Sequence, residues 1–493
     1  MPEEKLENAE VKSEEGGAAV PAPQDKIVVT EHSLKLGKKQ LDYTVTTGTM
    51  ILKEEDEKLG EKAKASIFYV AYTLKTDLPK AQRPITYSFN GGPGSSSVWM
   101  HLGLLGPKRV KMDDEGMPLP PPYTLVDNEY TLLESSDLVF IDPVSTGYSR
   151  AVPGQKAEEF HGVKQDVQSV GDFIVRWTTR NQRWASPKFL IGESYGTTRA
   201  SGLSKYLQER HGLYLNGVML ISSILNFITV AYDSGNDLPY PMLLPTYTAT
   251  AWYHGKLDKK LQTNLQEALK QSEAFASNEY TLALMKGSAM SSTERASARR
   301  KLSRFSGISE NYLEQHDLRV GVEQYCKELC RKDGLTVGRL DSRFTGMEMN
   351  QSGEEVQRDP SYSAILGPYT ATFYDYVRAE LGFEFDIPYE IIKSLKKWEM
   401  EEARYTDVSP DLRDAFLLNP NLRVYVACGY YDMATPYYAA EYTFNHLSLP
   451  QKLDGRVRFS YFESGHMMYL QIAALKKLGN ELPEFIRECC KKS

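Results

Sequence analysis

Two hydrophobic patterns divide the chain. From Lys26 to Asn90, apolar and β-branched residues recur in short stretches: Ile27 to Thr30, Gln40 to Leu52, Ala65 to Thr73 and Pro84 to Phe89. Gly, Lys and Pro turns separate them, which predicts strands joined closely enough to run antiparallel along one side of a sheet. After Asn90 the pattern changes to compact apolar runs: Asp137 to Asp142, Lys188 to Gly192, Asn216 to Ser223, Leu422 to Gly429 and Val457 to Ser464. All but the last lead through a loop into a segment of helical period, most clearly Asp166 to Trp177 and Thr197 to Leu207. Strands apolar on both faces and separated by helices read as a mostly parallel, doubly wound α/β sheet.

One interval breaks the alternation. Between Asn226 and Leu418 no comparable strand is visible, whereas Leu257 to Ala276 and Thr293 to Leu302 are amphipathic. Because the strand pattern resumes afterwards, this interval reads as a mostly helical insertion capping the carboxyl edge of the sheet, where open α/β sheets bind ligands. The predicted organisation is a tail over 1–25, a first part of the core over 26–225, the cap over 226–418 and a second part of the core over 419–493. The tail is rich in Glu, Ala, Pro and Lys, a composition that buries too little apolar surface to order itself. It also lacks the apolar stretch of a signal peptide.

Composition narrows the function. A net charge of −7 leaves no basic excess to neutralise phosphates, which argues against a nucleic-acid partner. No apolar run reaches the roughly 18 residues that span a bilayer. The five cysteines are too few and too clustered for a disulfide framework, although Cys326 and Cys330 are close enough in sequence to pair. No histidine or further cysteine nearby completes a metal set with them. No metal or cofactor is expected.

The chemistry gathers around Lys188 to Ala200. Apolar Phe189, Leu190 and Ile191 end a buried strand, and Gly192, Glu193, Ser194, Tyr195 and Gly196 follow as G-x-S-x-G before a helix. This places a serine on a tight strand-to-helix turn, as in the nucleophile elbow of α/β-hydrolases. Serine nucleophiles need a base, a carboxylate to orient it and donors for the oxyanion. Asp432 follows the strand ending at Gly429, and His466 follows the strand ending near Glu463. The order Ser, Asp, His is that of the α/β-hydrolases. Upstream, Asn90, Gly91, Gly92, Pro93 and Gly94 form a glycine-rich loop after a strand, where backbone N–H groups can approach an oxyanion closely. A phosphate-binding reading of that loop fails for want of a Lys-Ser/Thr ending.

NGGPGSSS from Asn90, DPVSTGYS from Asp142, GESYG around Ser194, the Asp432 loop and SGHM around His466 together resemble the serine carboxypeptidases, family S10 of the α/β-hydrolase superfamily. The resemblance implies the α/β-hydrolase fold and a Ser194–Asp432–His466 triad. It implies an oxyanion hole from the N–H groups of Gly92 and Tyr195, with Asn90, Gly91 and Glu193 holding a peptide's terminal carboxylate. It implies release of C-terminal amino acids through an acyl-enzyme on Ser194, a peptide or small acyl substrate, and export with a signal removed. Four departures stand out. Leu104 occupies the position of a second glutamate in the carboxylate-binding network, which favours an alternative esterase or acyltransferase. Ser95 and Thr435 replace a cysteine pair. The Asp142 loop is one residue short, and Gly196-Thr197 replace Ala-Gly after the nucleophile. These changes look like a divergent, bacterial branch. A non-catalytic binding protein on the same fold is the remaining reading, disfavoured because all three triad members are present.

Overall fold

The computed structural model describes residues 23–57, 60–395, 398 and 405–491. Most of the expected tail, residues 1–22, lies outside the described residues. Its last member does not behave as tail: the Asp25 carboxylate accepts a hydrogen bond from Ile51 N at 2.7 Å and pairs with Arg180 at 2.5 Å.

Three long strands, β1 (Ile27–Leu36), β2 (Lys39–Asp56) and β3 (Gly60–Leu74), form an antiparallel meander. The core strands follow as β4 (Ile85–Phe89), β5 (Asp137–Ile141), β6 (Lys188–Ser194), β7 (Gly217–Ser223), β8 (Arg423–Gly429) and β9 (Val457–Phe462). All belong to one 10-stranded sheet in the order β1-β2-β3-β5-β4-β6-β7-β8-β9, with the short strand Arg150–Ala151 pairing β3. This corrects the expectation for Pro84 to Phe89. β4 does not extend the meander, because β5 inserts between β3 and β4 and β4 pairs parallel on both sides, with β5 and β6.

The apolar runs feed two cores by simple alternation. Phe189 and Ile191 of β6, Met219 and Ile221 of β7, and Tyr425 and Ala427 of β8 face one core. Leu190, Val218, Leu220, Val424 and Val426 face the other. Helix α1 (Val163–Arg180) and helix α2 (Tyr195–His211) cover the second face through Val167, Phe173, Trp177, Leu203 and Leu207. The chain between β7 and β8 is mainly helical, including α3 (Pro239–Tyr253), α4 (Leu265–Phe275), α5 (Ser292–Ser306), α6 (Pro360–Asp375) and α7 (Ser409–Leu418). α3, α4 and α5 share a third core with Met433, the neighbour of Asp432. Two-residue strands at Thr336–Val337 and Thr345–Gly346 also occur there, too short to register in a hydrophobic pattern. The final helix α9, preceded by α8 (Tyr437–Asn445), runs Ile472–Cys490 and packs Leu475, Leu478, Leu482 and Phe485 on the first core. All five cysteines are free, with Cys326 and Cys330 buried. Among the described residues no helix is long and apolar enough to cross a membrane.

Candidate active site

Ser194 closes β6 and caps α2 with φ 60° and ψ −130°, a conformation that is costly for a residue with a Cβ and is stored where a fold needs it. The surrounding glycines make room. A Cβ on Gly91 would stand 2.5 Å from Tyr195 N, and one on Gly192 would stand 2.1 Å from Gly196 O. The strand end at Asn90 and the elbow therefore touch backbone to backbone, with the Gly91–Gly92 loop against the start of α2. Thr197, one of the departures, adds a clasp: its hydroxyl donates to Ser194 O at 2.7 Å and accepts from Ile224 N at 2.9 Å.

β8 and β9 deliver the other two residues. Asp432, wholly buried, accepts His466 Nδ1–H on Oδ2 at 2.7 Å. Its Oδ1 accepts the backbone N–H groups of Ala434 and Thr435 at 2.8 and 3.0 Å. The Thr435 hydroxyl donates to Oδ2 at 2.7 Å. Burial pulls the His466 pKa down, but the charge and hydrogen bond of Asp432 outweigh it and leave it above the usual 6.5. Ser194 and His466 line a common cavity; among the described residues no hydrogen bond joins the serine hydroxyl to the imidazole.

The two departures expected to remove a disulfide carry hydrogen bonds instead. Thr435 holds Asp432, as above, and the Ser95 hydroxyl accepts the indole N–H of Trp99 at 2.7 Å. Thr435→Val keeps the shape but loses the donor. It is expected to lower kcat about fivefold with KM unchanged, the loss of one hydrogen bond worth about 1 kcal/mol. Thr435→Ser should restore it; steady-state kinetics of the three proteins checks both.

Two cavities meet at Ser194. The larger, about 880 Å³, includes Gly92, Tyr195, Ile224, Phe227, Leu243 and Met433 in its wall. The smaller, about 620 Å³, includes Asn90, Gly91, Trp99, Glu193, Tyr362 and Ile365. Trp99 is a buried ring that also forms part of this wall. Glu193 is 3% exposed. Its Oε1 accepts from Asn90 Nδ2 at 2.9 Å, and its Oε2 has no hydrogen-bond partner. Burial raises its pKa to about 7, against the opposing effects of His466, the neighbouring Tyr469 hydroxyl and Asn90. Leu104 is buried in the first core, so its position supplies no second carboxyl.

Two features escaped the sequence reading. Arg199 of α2, 1% exposed, donates to Asp166 at 2.7 Å and to Asn90 O at 2.6 Å, tying helix α1, the elbow helix and the glycine-rich loop together. The sequence signal was a charged residue on the buried face of a helix of small residues. The second is the segment 339–343 of the insertion, wedged against both the Asp432 and His466 loops, for which no local pattern exists.

Fold and elbow together define an α/β-hydrolase. A family model described as serine carboxypeptidase, peptidase S10, matches residues 52–475, and the chain belongs to that family. Curated relatives include serine carboxypeptidase-like 36 of Arabidopsis thaliana, 25% identical over 213 residues, which are 42% of this chain and 40% of the relative. Serine carboxypeptidase-like 40 of the same plant is 27% identical over 173 residues, 34% of this chain and 32% of the relative. The chain thus spans well under half the length of the curated relatives it matches. Among solved structures, the prohormone-processing carboxypeptidase Kex1(Δ)p of Saccharomyces cerevisiae shares the fold, with a TM-score of 0.51, 15% identity and coverage of 89% of this chain and 91% of that one. The two curated relatives are from a plant, so the expected bacterial branch finds no support in them.

Proposed function

We propose that the protein is a serine carboxypeptidase. The observation that carries this is the smaller cavity, where Ser194 and His466 share a wall with Asn90 and with Glu193, whose Oε2 has no hydrogen-bond partner. In this reading His466 Nε2 takes the Ser194 proton as Oγ attacks the last peptide carbonyl. Asp432 holds the imidazole and stabilises its charge, while the N–H groups of Gly92 and Tyr195 receive the oxyanion. The intermediate collapses as His466 gives its proton to the leaving amine and the C–N bond breaks. Water then enters by the same base and releases the acyl group. The terminal residue would occupy the smaller cavity, whose Trp99, Tyr362 and Ile365 suit an apolar side chain. The acyl side would occupy the larger one.

A second reading, an esterase or acyltransferase, is favoured by one observation: Leu104 leaves Glu193 without a second carboxyl from that position. A blocked dipeptide, its C-terminal amide and its ester separate the two. Release of amino acid from the acid, little from the amide and none by Ser194→Ala supports the carboxypeptidase. Cleavage of the ester alone overturns it.

A further inference from the structure

The segment that sequence reading missed gives the site a cation. Its backbone is tied to both catalytic loops: Met433 N donates to Arg339 O at 3.1 Å, His466 N to Leu340 O at 2.6 Å, and Ser342 N to Tyr431 O at 3.0 Å. Gly465 N donates to Asp341 Oδ2 at 3.1 Å, and the same carboxylate pairs with buried Arg343 at 2.7 Å. Arg339 N and Leu340 N are pinned on the other side by Asp359 Oδ1 and Ser361 Oγ. The backbone that carries Arg339 is therefore held between the loops of Asp432 and His466.

The side chain is different. Arg339 is exposed, and its guanidinium has no hydrogen bond or ion pair among the described residues. It lines both cavities that meet at Ser194, and its charge is felt at His466, whose pKa it lowers. The other charges around the smaller cavity are less available. Asp359 is already occupied as the cap of α6, and Lys393 stands 3.8 Å from Glu390. A guanidinium receives a carboxylate through paired N–H donors, and unlike a carboxyl–carboxylate pair it needs no shared proton.

We propose that Arg339 binds the terminal carboxylate of a peptide in the smaller cavity, opposite Asn90 and Glu193, in place of the carboxyl that Leu104 does not provide. This rests on the carboxypeptidase reading for its substrate. It makes Arg339 a specificity-determining residue, set on the strap that also holds the two catalytic loops.

Binding, measured apart from turnover, tests it. The full chain carrying Ser194→Ala is titrated calorimetrically with N-acetyl-Phe-Leu and with the same dipeptide amidated at its C-terminus. The acid is expected to bind about ten- to a hundredfold more tightly, the range of a charge-assisted hydrogen-bonded pair. Adding Arg339→Gln should shrink that preference to about threefold or less while amide affinity stays, and Arg339→Lys should restore part of it. The proposal is overturned if the preference survives Arg339→Gln, if Lys393→Gln removes it instead, or if acid and amide weaken together. It is overturned too if the Ser194→Ala protein shows no preference. A protein that cleaves esters but not peptide acids defeats the carboxypeptidase reading alone, and the titration still decides Arg339.

Discussion

Asp432→Asn is expected to lower kcat about 10³- to 10⁴-fold with little change in stability or KM, as loss of the orienting carboxylate does in serine triads. The reason here is specific to the loop. Oδ1 faces two backbone donors, Ala434 N and Thr435 N, whereas Oδ2 faces His466 Nδ1. An asparagine must put its oxygen toward the two backbone N–H groups, because turning it over would set its NH₂ against them. The NH₂ then points at the imidazole, and Nδ1 becomes an acceptor. The proton moves to Nε2, the atom that has to take the proton of Ser194. The Thr435 hydroxyl, 3.2 Å from Nδ1, is a neutral partner for the imidazole and does not replace the charge of the carboxylate. Steady-state kinetics beside a melting curve decides the matter: a variant that keeps kcat within tenfold of wild type removes Asp432 from the mechanism.

How much of this was legible in the sequence follows from how local each signal is. Continuous apolar runs mark strands buried on both faces, and the runs at Lys188, Asn216 and Leu422 became the adjacent strands β6, β7 and β8. The order of Ser194, Asp432 and His466 could be read because each stands at or just past the carboxyl end of its own strand. Pairing partners were not legible in the same way. Pro84 to Phe89 looks like the strands before it, but its neighbours are fixed by long connections and by β5 entering beside it. Contacts made across the fold left no trace in the pattern: Arg199 reaching Asn90, and segment 339–343 gripping the loops of Asp432 and His466 far along the chain.

The departures from the family pattern gain meaning from these contacts. Where a cysteine pair was expected, Ser95 orders the indole of Trp99 in the smaller cavity, and Thr435 orders the carboxylate behind the base. A covalent brace is replaced by two hydrogen bonds, each at the site itself. The insertion supplies bracing as well. Met433 is buried in its core, and segment 339–343 hydrogen-bonds to the loops of both Asp432 and His466.

Glu193 should make hydrolysis of peptide acids fall at alkaline pH while ester hydrolysis persists. Burial raises its pKa to about 7, with His466, Tyr469 and Asn90 working against the rise and Asp432 adding to it. Below that value the carboxyl is neutral and can share its proton with a substrate carboxylate; above it two anions meet in a buried site and repel. His466 must be neutral to act as base, and its pKa lies above the usual 6.5, so activity rises first as pH increases. For a peptide acid, kcat/KM is expected to pass through a narrow maximum near neutrality and then drop about tenfold per pH unit. The attraction of Arg339 for the substrate carboxylate moderates this loss without abolishing it. Glu193→Gln should flatten the alkaline limb and move the limb of His466 to lower pH, because the Glu193 charge helps to raise that pKa. Stability gives a second readout. A carboxyl whose folded pKa exceeds its usual 4.5 binds its proton more tightly in the folded state, so its contribution is complete below 4.5 and is lost as pH rises through about 7. The size is on the order of 3 kcal/mol. Between pH 5 and 8 the melting temperature of the wild type should fall further than that of Glu193→Gln. Equal slopes, together with an alkaline limb unchanged in the variant, would show that this carboxyl neither stays protonated in the folded protein nor meets the substrate's own.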